Sequence, residues 1–347
     1  MSQFVHLHLH TDYSLLDGAC NVEKLVKHAQ KLGQPAVAIT DHGNIFGAFH
    51  FFRAARSAGI RPIIGCELYI CKKEDHNIER TPPEGDTYNH LLVLAENEEG
   101  YRNLMKLSSI AYLEGFYYKP RISKTFLAEH AKGLIGLSGC LKGEVAENLM
   151  EGKYSEASAA AAGFRDIFGA ANFFIEVQDQ GLEQERKILS GLHRIVKDLG
   201  TPLVATNDSH YLCEDDAHAQ DVMVCIQTGK SINDANRMKF QTDQFYMKSY
   251  DEMMQVFGEL PEAVWRTAEI AEVKAIVYVR GKLPDKEAVA LAAEQDRRIG
   301  PHVDAADVDE SVAVEVPRSA LPNVEGDGGQ VGIRGAVVSA VGEAVDA

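Results

Sequence analysis

His6-Leu7-His8-Leu9-His10 sets three imidazoles at alternate positions near the start of the chain. In a strand such alternation sends the histidines to one face and the leucines to the other. A single buried histidine is commonly a satisfied core residue, but three on one face need a metal ion or carboxylates as partners. His8 and His10 are therefore candidate metal ligands. Other ligand-capable residues stand where short apolar runs end: Asp41 and His42 after Ala36–Thr40, Glu67 after Ile63–Cys66, Cys140 after Leu137–Gly139, and Asp208 and His210 after Leu203–Asn207. Asp17 lies in a loop beyond the first run, and His90 begins an apolar run instead of ending one. Singly, each has a plainer reading: Asp41 as a turn cap, Cys140 as a small buried hydrophobe, His90 as a surface residue. Together they form a mixed imidazole, carboxylate and thiolate set that suits zinc, manganese or iron better than magnesium or calcium. So many donors exceed the needs of one ion and predict two or three. Ions about 3.5–4 Å apart bind a phosphate, acidify a water and stabilise the leaving oxygen, which is the chemistry of phosphoester hydrolysis. No G-x-S-x-G or G-x-x-x-x-G-K-[ST] sequence offers another route.

Elements that could hold these residues are legible as alternating runs. Phe4–His10, Pro35–Thr40, Arg61–Ile70, His90–Ala95, Leu134–Ser138, Phe173–Val177 and Pro202–Thr206 read as strands. Val22–Leu32, Ile45–Ala58, Glu99–Ala111, Ser155–Phe168 and Gln184–Leu199 have helical periodicity. This alternation predicts parallel βαβ units closing into an α/β barrel, whose strand ends share one rim where active sites are built. Lys72–Asp86 is charged, carries Pro82, Pro83 and Gly85, and reads as a loop. Residues 210–275 look helical and irregular. These features assign 1–273 to a metal-binding barrel with trailing helices. No aromatic residue follows Tyr278, and 274–347 read as a poorly ordered tail of biased composition.

The 347 residues include 51 Asp and Glu against 35 Lys and Arg, a formal charge of −16. That balance argues against a surface that grips duplex DNA along its length. It leaves a metal-using enzyme untouched, because bound cations are absent from the formal count. The six cysteines form no C-x-x-C pair, and neither a secretion signal nor an apolar run of spanning length is visible. Reduced thiols in a cytoplasmic protein, away from membranes, are the expectation.

Several stretches go further: FVHLHLHTDYSLLDGA at 4–19, AITDHGNIFGA at 38–48, PIIGCELY at 62–69, HLLVLAEN at 90–97, AYLEGFYYKPR at 111–121, GLIGLSGCLKGE at 133–144 and TNDSHY at 206–211. With these motifs the chain resembles the polymerase and histidinol phosphatase (PHP) superfamily, and within it the N-terminal domain of bacterial DNA polymerase III α subunits. The resemblance covers about residues 3–272 and its motifs are specific. It implies a distorted seven-stranded (β/α) barrel of the PHP type with a trinuclear metal centre. Carried over by position, the implied ligands are His8, His10, Asp17, His42, Glu67, His90, Cys140, Asp208 and His210, with His10, Asp208 and His210 at the reaction. Asp41 and His6 then become groups that orient ligands. The implied activity is metal-dependent removal of nucleotides from a DNA primer 3′ end. The implied partners are other polymerase III holoenzyme subunits, a proofreading exonuclease among them.

Some members of the family have lost ligands and keep the domain as a structural platform, whereas all nine positions here hold ligand-capable residues. The departure lies after Val273, where nothing resembles palm, thumb or fingers, and Asp304, Asp307 and Asp309 sit in an Ala-rich stretch without β character. By this reading the chain is the product of a truncated or frame-shifted gene and does not polymerise DNA. The alternatives are a non-catalytic platform and a free-standing phosphatase for small phosphomonoesters.

Overall fold

The computed structural model describes residues 4–72 and 88–274. The expectations for 274–347 and for nearly all of Lys72–Asp86 fall outside them. The strands are β1 (Ala36–Ile39), β2 (Arg61–Cys71), β3 (Tyr88–Ala95), β4 (Phe116–Tyr117), β5 (Lys119–Ile122), β6 (Leu134–Leu137), β7 (Phe173–Val177) and β8 (Leu203–Ala205). They pair in the order β4-β5-β2-β3-β6-β7-β8, with β1 also on β2, in a sheet that curls as a half-barrel clad in helices. Those helices are α1 (Val22–Lys31), α2 (Ala48–Ser57), α3 (Glu98–Leu113), α4 (Lys124–Glu129), α5 (Glu144–Met150), α6 (Tyr154–Phe168), α7 (Glu183–Leu199), α8 (Ala217–Thr228), α9 (Tyr250–Val256) and α10 (Pro261–Glu269).

Local chemistry sets the helix ends. Asn21 accepts from the Lys24 amide to start α1, and Asn97 accepts from the Gly100 amide at 3.0 Å to start α3. In α1 the buried Val22, Leu25, Val26 and Ala29 follow the helical repeat, so one face enters the core.

The sheet is mixed, which corrects the all-parallel expectation. β3 runs antiparallel to both β2 and β6, with Tyr69 opposite His90 and Leu92 opposite Leu137. The beginning of β3 therefore reaches the rim where the parallel strands end.

Side chains alternate between two cores. Val37, Ile39, Ile64, Leu91, Val93 and Ile175 face the helices. Ala36, Ala38, Ile63, Leu92, Leu94, Ile135, Leu137, Phe174 and Val204 form a second cluster on the opposite face. Continuing the same parity toward the rim gives His42, Glu67, His90 and Glu176. One face of the curled sheet is thus an apolar plug below and a polar cage above.

Phe4–His10 is extended but not a regular strand. The amides of Val5, His6 and Leu9 donate to side-chain oxygens of Thr267, Gln34 and Thr40, in place of a backbone ladder. The Ala38 amide donates to the His6 carbonyl and the His10 amide to the Ser209 carbonyl, so the segment lies between β1 and the chain that follows β8.

Candidate metal centre

The chain bends at His8. Before the bend Val5 and Leu7 enter the plug; after it, Leu9 packs on the helix side. The bend shifts the alternation, so the three histidines do not share one face. His8 and His10 point into the cage. His6 packs edge-on to Phe4, with its Nε2 2.8 Å from the Lys248 carbonyl, and touches no candidate ligand side chain. Any orienting role is therefore indirect, through the Lys248 carbonyl and through the Ser209 hydroxyl 3.4 Å from its Nδ1. Burial first, then the nearby Lys248 charge, push its pKa down to about 4, although the Lys248 carbonyl opposes them, so it stays neutral near pH 7.

All nine candidate ligands converge. Glu67 is central: its carboxylate lies 2.6 Å from His42 Nδ1, 3.0 Å from His90 Nδ1, 3.5 Å from His8 Nε2 and 3.6 Å from Cys140 Sγ. Asp208 Oδ1 is 3.1 Å from Nε2 of both His8 and His10, and 3.6 Å from His210 Nδ1. Asp17 closes the other side, 3.4 Å from His42 and 3.9 Å from His210. The His10 ring stacks between His42 and His210, with centroids 4.1 and 4.3 Å away.

Turns bring the loop ligands in. Gly43 follows His42 with φ +64, and a Cβ there would meet Pro120 and a Tyr69 ring carbon, each at 2.7 Å. Glycine thus lets the His42 turn close against β2 and β5. Gly139, at φ +84, precedes Cys140, and its amide donates to Glu176 at 3.1 Å.

Several residues absent from the sequence reading hold the ligands. Glu176 sits 2.6 Å from His8 Nδ1 and accepts from Gln178 Nε2 at 3.0 Å and from the Thr206 hydroxyl. This leaves His8 Nε2 for the cage. Its available signal was a lone carboxylate inside the apolar run Phe173–Val177. Ser14 lies 3.0 Å from His10 Nδ1 and donates to Asp41 at 2.8 Å. Asp41 also accepts from the Thr11 amide and hydroxyl, so it bears on His10 through Ser14 and contributes no direct ligand contact.

Opposing influences set the charges. Burial, with His42 and His210 nearby, drives His10 down to about 3, so it offers a neutral lone pair. Burial also disfavours charge on His42, but Glu67 and Asp17 overcome it and lift its pKa to about 10. Burial opposes charge on Glu67, Asp17 and Asp208, yet the surrounding imidazoles hold all three carboxylates below their usual range. Burial, then Glu67 and Asp208, push the Cys140 thiol well above its usual value.

His8 Nε2, His10 Nε2, His42 Nδ1, Asp17 Oδ1, Glu67 Oε2 and Asp208 Oδ1 are buried atoms with no hydrogen-bond partner. Their close approaches lack hydrogen-bond geometry. An unmet buried polar atom costs about 1–3 kcal/mol, and six in one cluster are donors that a shared cation would satisfy. Three triads have ligand atoms within 4.8 Å of one another: His10, His42 and His210; His8, His10 and Glu67; His42, Glu67 and His90. The donor set fits divalent metal ions. A cavity of about 410 Å³ opens over it, with Lys119, Lys142 and Lys239 among its lining residues. Among the described residues no helix is long and apolar enough to cross a membrane.

A family model described as PHP domain matches residues 6–180. The DNA polymerase III α subunit of Treponema pallidum is 51% identical over 274 residues, covering 78% of this chain and 23% of that protein. That of Borreliella burgdorferi is 44% identical over 271 residues, covering 78% of this chain and 24% of that protein. This chain thus spans about a quarter of the length of these relatives. An amidohydrolase structure from Chromobacterium violaceum aligns with a TM-score of 0.30 and 16% identity, over 59% of this chain and 87% of that one.

Proposed function

This chain belongs to the PHP domain family, and we propose that its cage binds two or three divalent ions, zinc or manganese with iron as a third candidate, and hydrolyses phosphoesters. The observation that carries the proposal is the set of six orphaned buried atoms on converging imidazoles and carboxylates. Bound divalent ions would supply Lewis acidity toward a phosphoryl oxygen and would acidify water.

The protein's own groups do the rest. Asp208 Oδ1, shared between His8 and His10, is the donor common to two faces of the cage. Together with His10 and His210 it lies nearest the reacting bond in this reading. Glu176 and Ser14 fix the two N-terminal imidazoles so that Nε2 of each faces inward. Lys119, Lys142 and Lys239 offer positive charge to a phosphate-bearing substrate in a chain whose net charge is −16. The polymerase setting of the relatives makes the 3′ end of a DNA primer the proposed substrate. Other polymerase III subunits, a proofreading exonuclease among them, are the proposed partners.

The test uses 5′-labelled primer–template with zinc or manganese, comparing the parent with Asp208→Ala. Stepwise 3′ shortening by the parent, lost in the variant, is the expected result. A metal-loaded parent that leaves the primer intact would shift the reading to a structural platform.

A further inference from the structure

The loop that delivers Asp208 is strained. Asp208 has φ +45, in the left-handed region where a non-glycine residue costs about 1–3 kcal/mol unless its surroundings hold it. Both neighbours are tied down. Asn207 Nδ2 donates to the carbonyls of Gln244 and Tyr246 at 2.9 and 2.7 Å, and Gln180 Nε2 donates to the Asn207 carbonyl at 2.9 Å. Ser209 donates its hydroxyl to the Tyr246 carbonyl at 3.2 Å.

Lys248 completes this clamp. Its side chain is buried, a costly location for an ammonium group. Its Nζ donates to Asn207 Oδ1 at 3.2 Å and to the Gln244 carbonyl, and lies 4.2 Å from the Tyr246 ring centroid. These direct partners are all neutral, while Glu252, Glu214, Asp243 and Glu185 lie near enough for their charges to favour the ammonium form. Its contact with Oδ1 fixes the Asn207 amide in the sense that leaves Nδ2 free to donate to the two carbonyls. His6, through its contact with the Lys248 carbonyl, anchors the same residue from behind.

We propose that Lys248 is a positioning residue for the metal centre: through Asn207 it holds Asp208 in the left-handed conformation that aims Oδ1 at His8 and His10. This rests on the metal-binding reading above.

The test is Lys248→Met in the full chain, which keeps an apolar stem and removes the ammonium. Three quantities are read: zinc affinity by equilibrium dialysis, the visible spectrum of the cobalt-loaded protein, and Tm with and without metal. Zinc binding weaker by about 10–100-fold is expected, with an altered cobalt band and a smaller metal-induced rise in Tm. A merely structural lysine would lower both Tm values together and leave affinity and cobalt band unchanged, and that result overturns the proposal. Asn207→Ser breaks the same link from the other side, so parental affinity in either soluble variant is equally fatal. A parent that takes up no ion would sink the metal-binding reading and this proposal with it. A parent and variant that load equally would sink this proposal alone.

Discussion

At the scale of residues, what was legible was chemistry carried by type and place. Histidines and carboxylates ending apolar runs flagged His42, Glu67, Asp208 and His210, which the fold gathers around Glu67 and Asp208. Alternation misassigned His6, because one bend at His8 changes which face a side chain meets and leaves no mark in the spacing. Glu176 was hidden for a related reason: inside a buried strand a lone carboxylate is visible, but its partner His8 lies 168 residues away. Glu176→Gln should weaken metal binding by about 10–100-fold with little change in far-UV circular dichroism; parental affinity would remove Glu176 from the support of His8. The charges also fix a pH dependence. Metal-free His42 holds its proton up to about 10, because Glu67 and Asp17 outweigh burial. A ligand imidazole must be neutral, so metal uptake at pH 7 expels that proton and affinity rises with pH. Calorimetry of zinc binding in buffers of different ionisation enthalpy should show net proton release, and zero release would contradict this charge assignment.

At the scale of elements, continuous apolar runs and periodic helices were readable, including the short β1, β6 and β8, whereas polar strands were not. The helix read at Gln184–Leu199 is α7, and Phe173–Val177 is β7 as predicted. The hairpin of β4 and β5 escaped because Lys119-Pro120-Arg121-Ile122 carries two charges and a proline, without the apolar run that marks the comparably short β1, β6 and β8. The direction of β3 escaped because antiparallel pairing depends on contacts across the sheet, yet it explains how His90, at the start of its run, meets Glu67 at 3.0 Å. The plug beneath the cage makes a separate prediction. Leu92 and Leu137 are fully buried partners across β3 and β6. Leu137→Ala should cost about 2–5 kcal/mol in denaturant unfolding. A loss under 1 kcal/mol, by the same scale, would mean the plug is not close-packed.

At the scale of the molecule, a half-barrel puts apolar side chains on the lower part of one face and imidazoles and carboxylates on the upper part, so the fold and the proposed metal binding share strands. Ions that bind the folded chain alone should raise its stability, by about 2.7 kcal/mol at a free concentration one hundred times Kd. The chain belongs to the PHP family and spans about a quarter of the length of its polymerase relatives. The charge of −16 pointed away from a duplex-gripping surface, and the lysines lining the cavity are a feature that only the fold assembles. The most direct measurement is elemental analysis of the chain after dialysis against zinc or manganese, beside Glu67→Ala, which removes the carboxylate at the centre of the cage. Two to three ions per parent chain are expected, with a marked loss in the variant while the fold persists. A folded parent that retains no ion, or a variant that retains as many as the parent, would contradict a metal centre built on these residues.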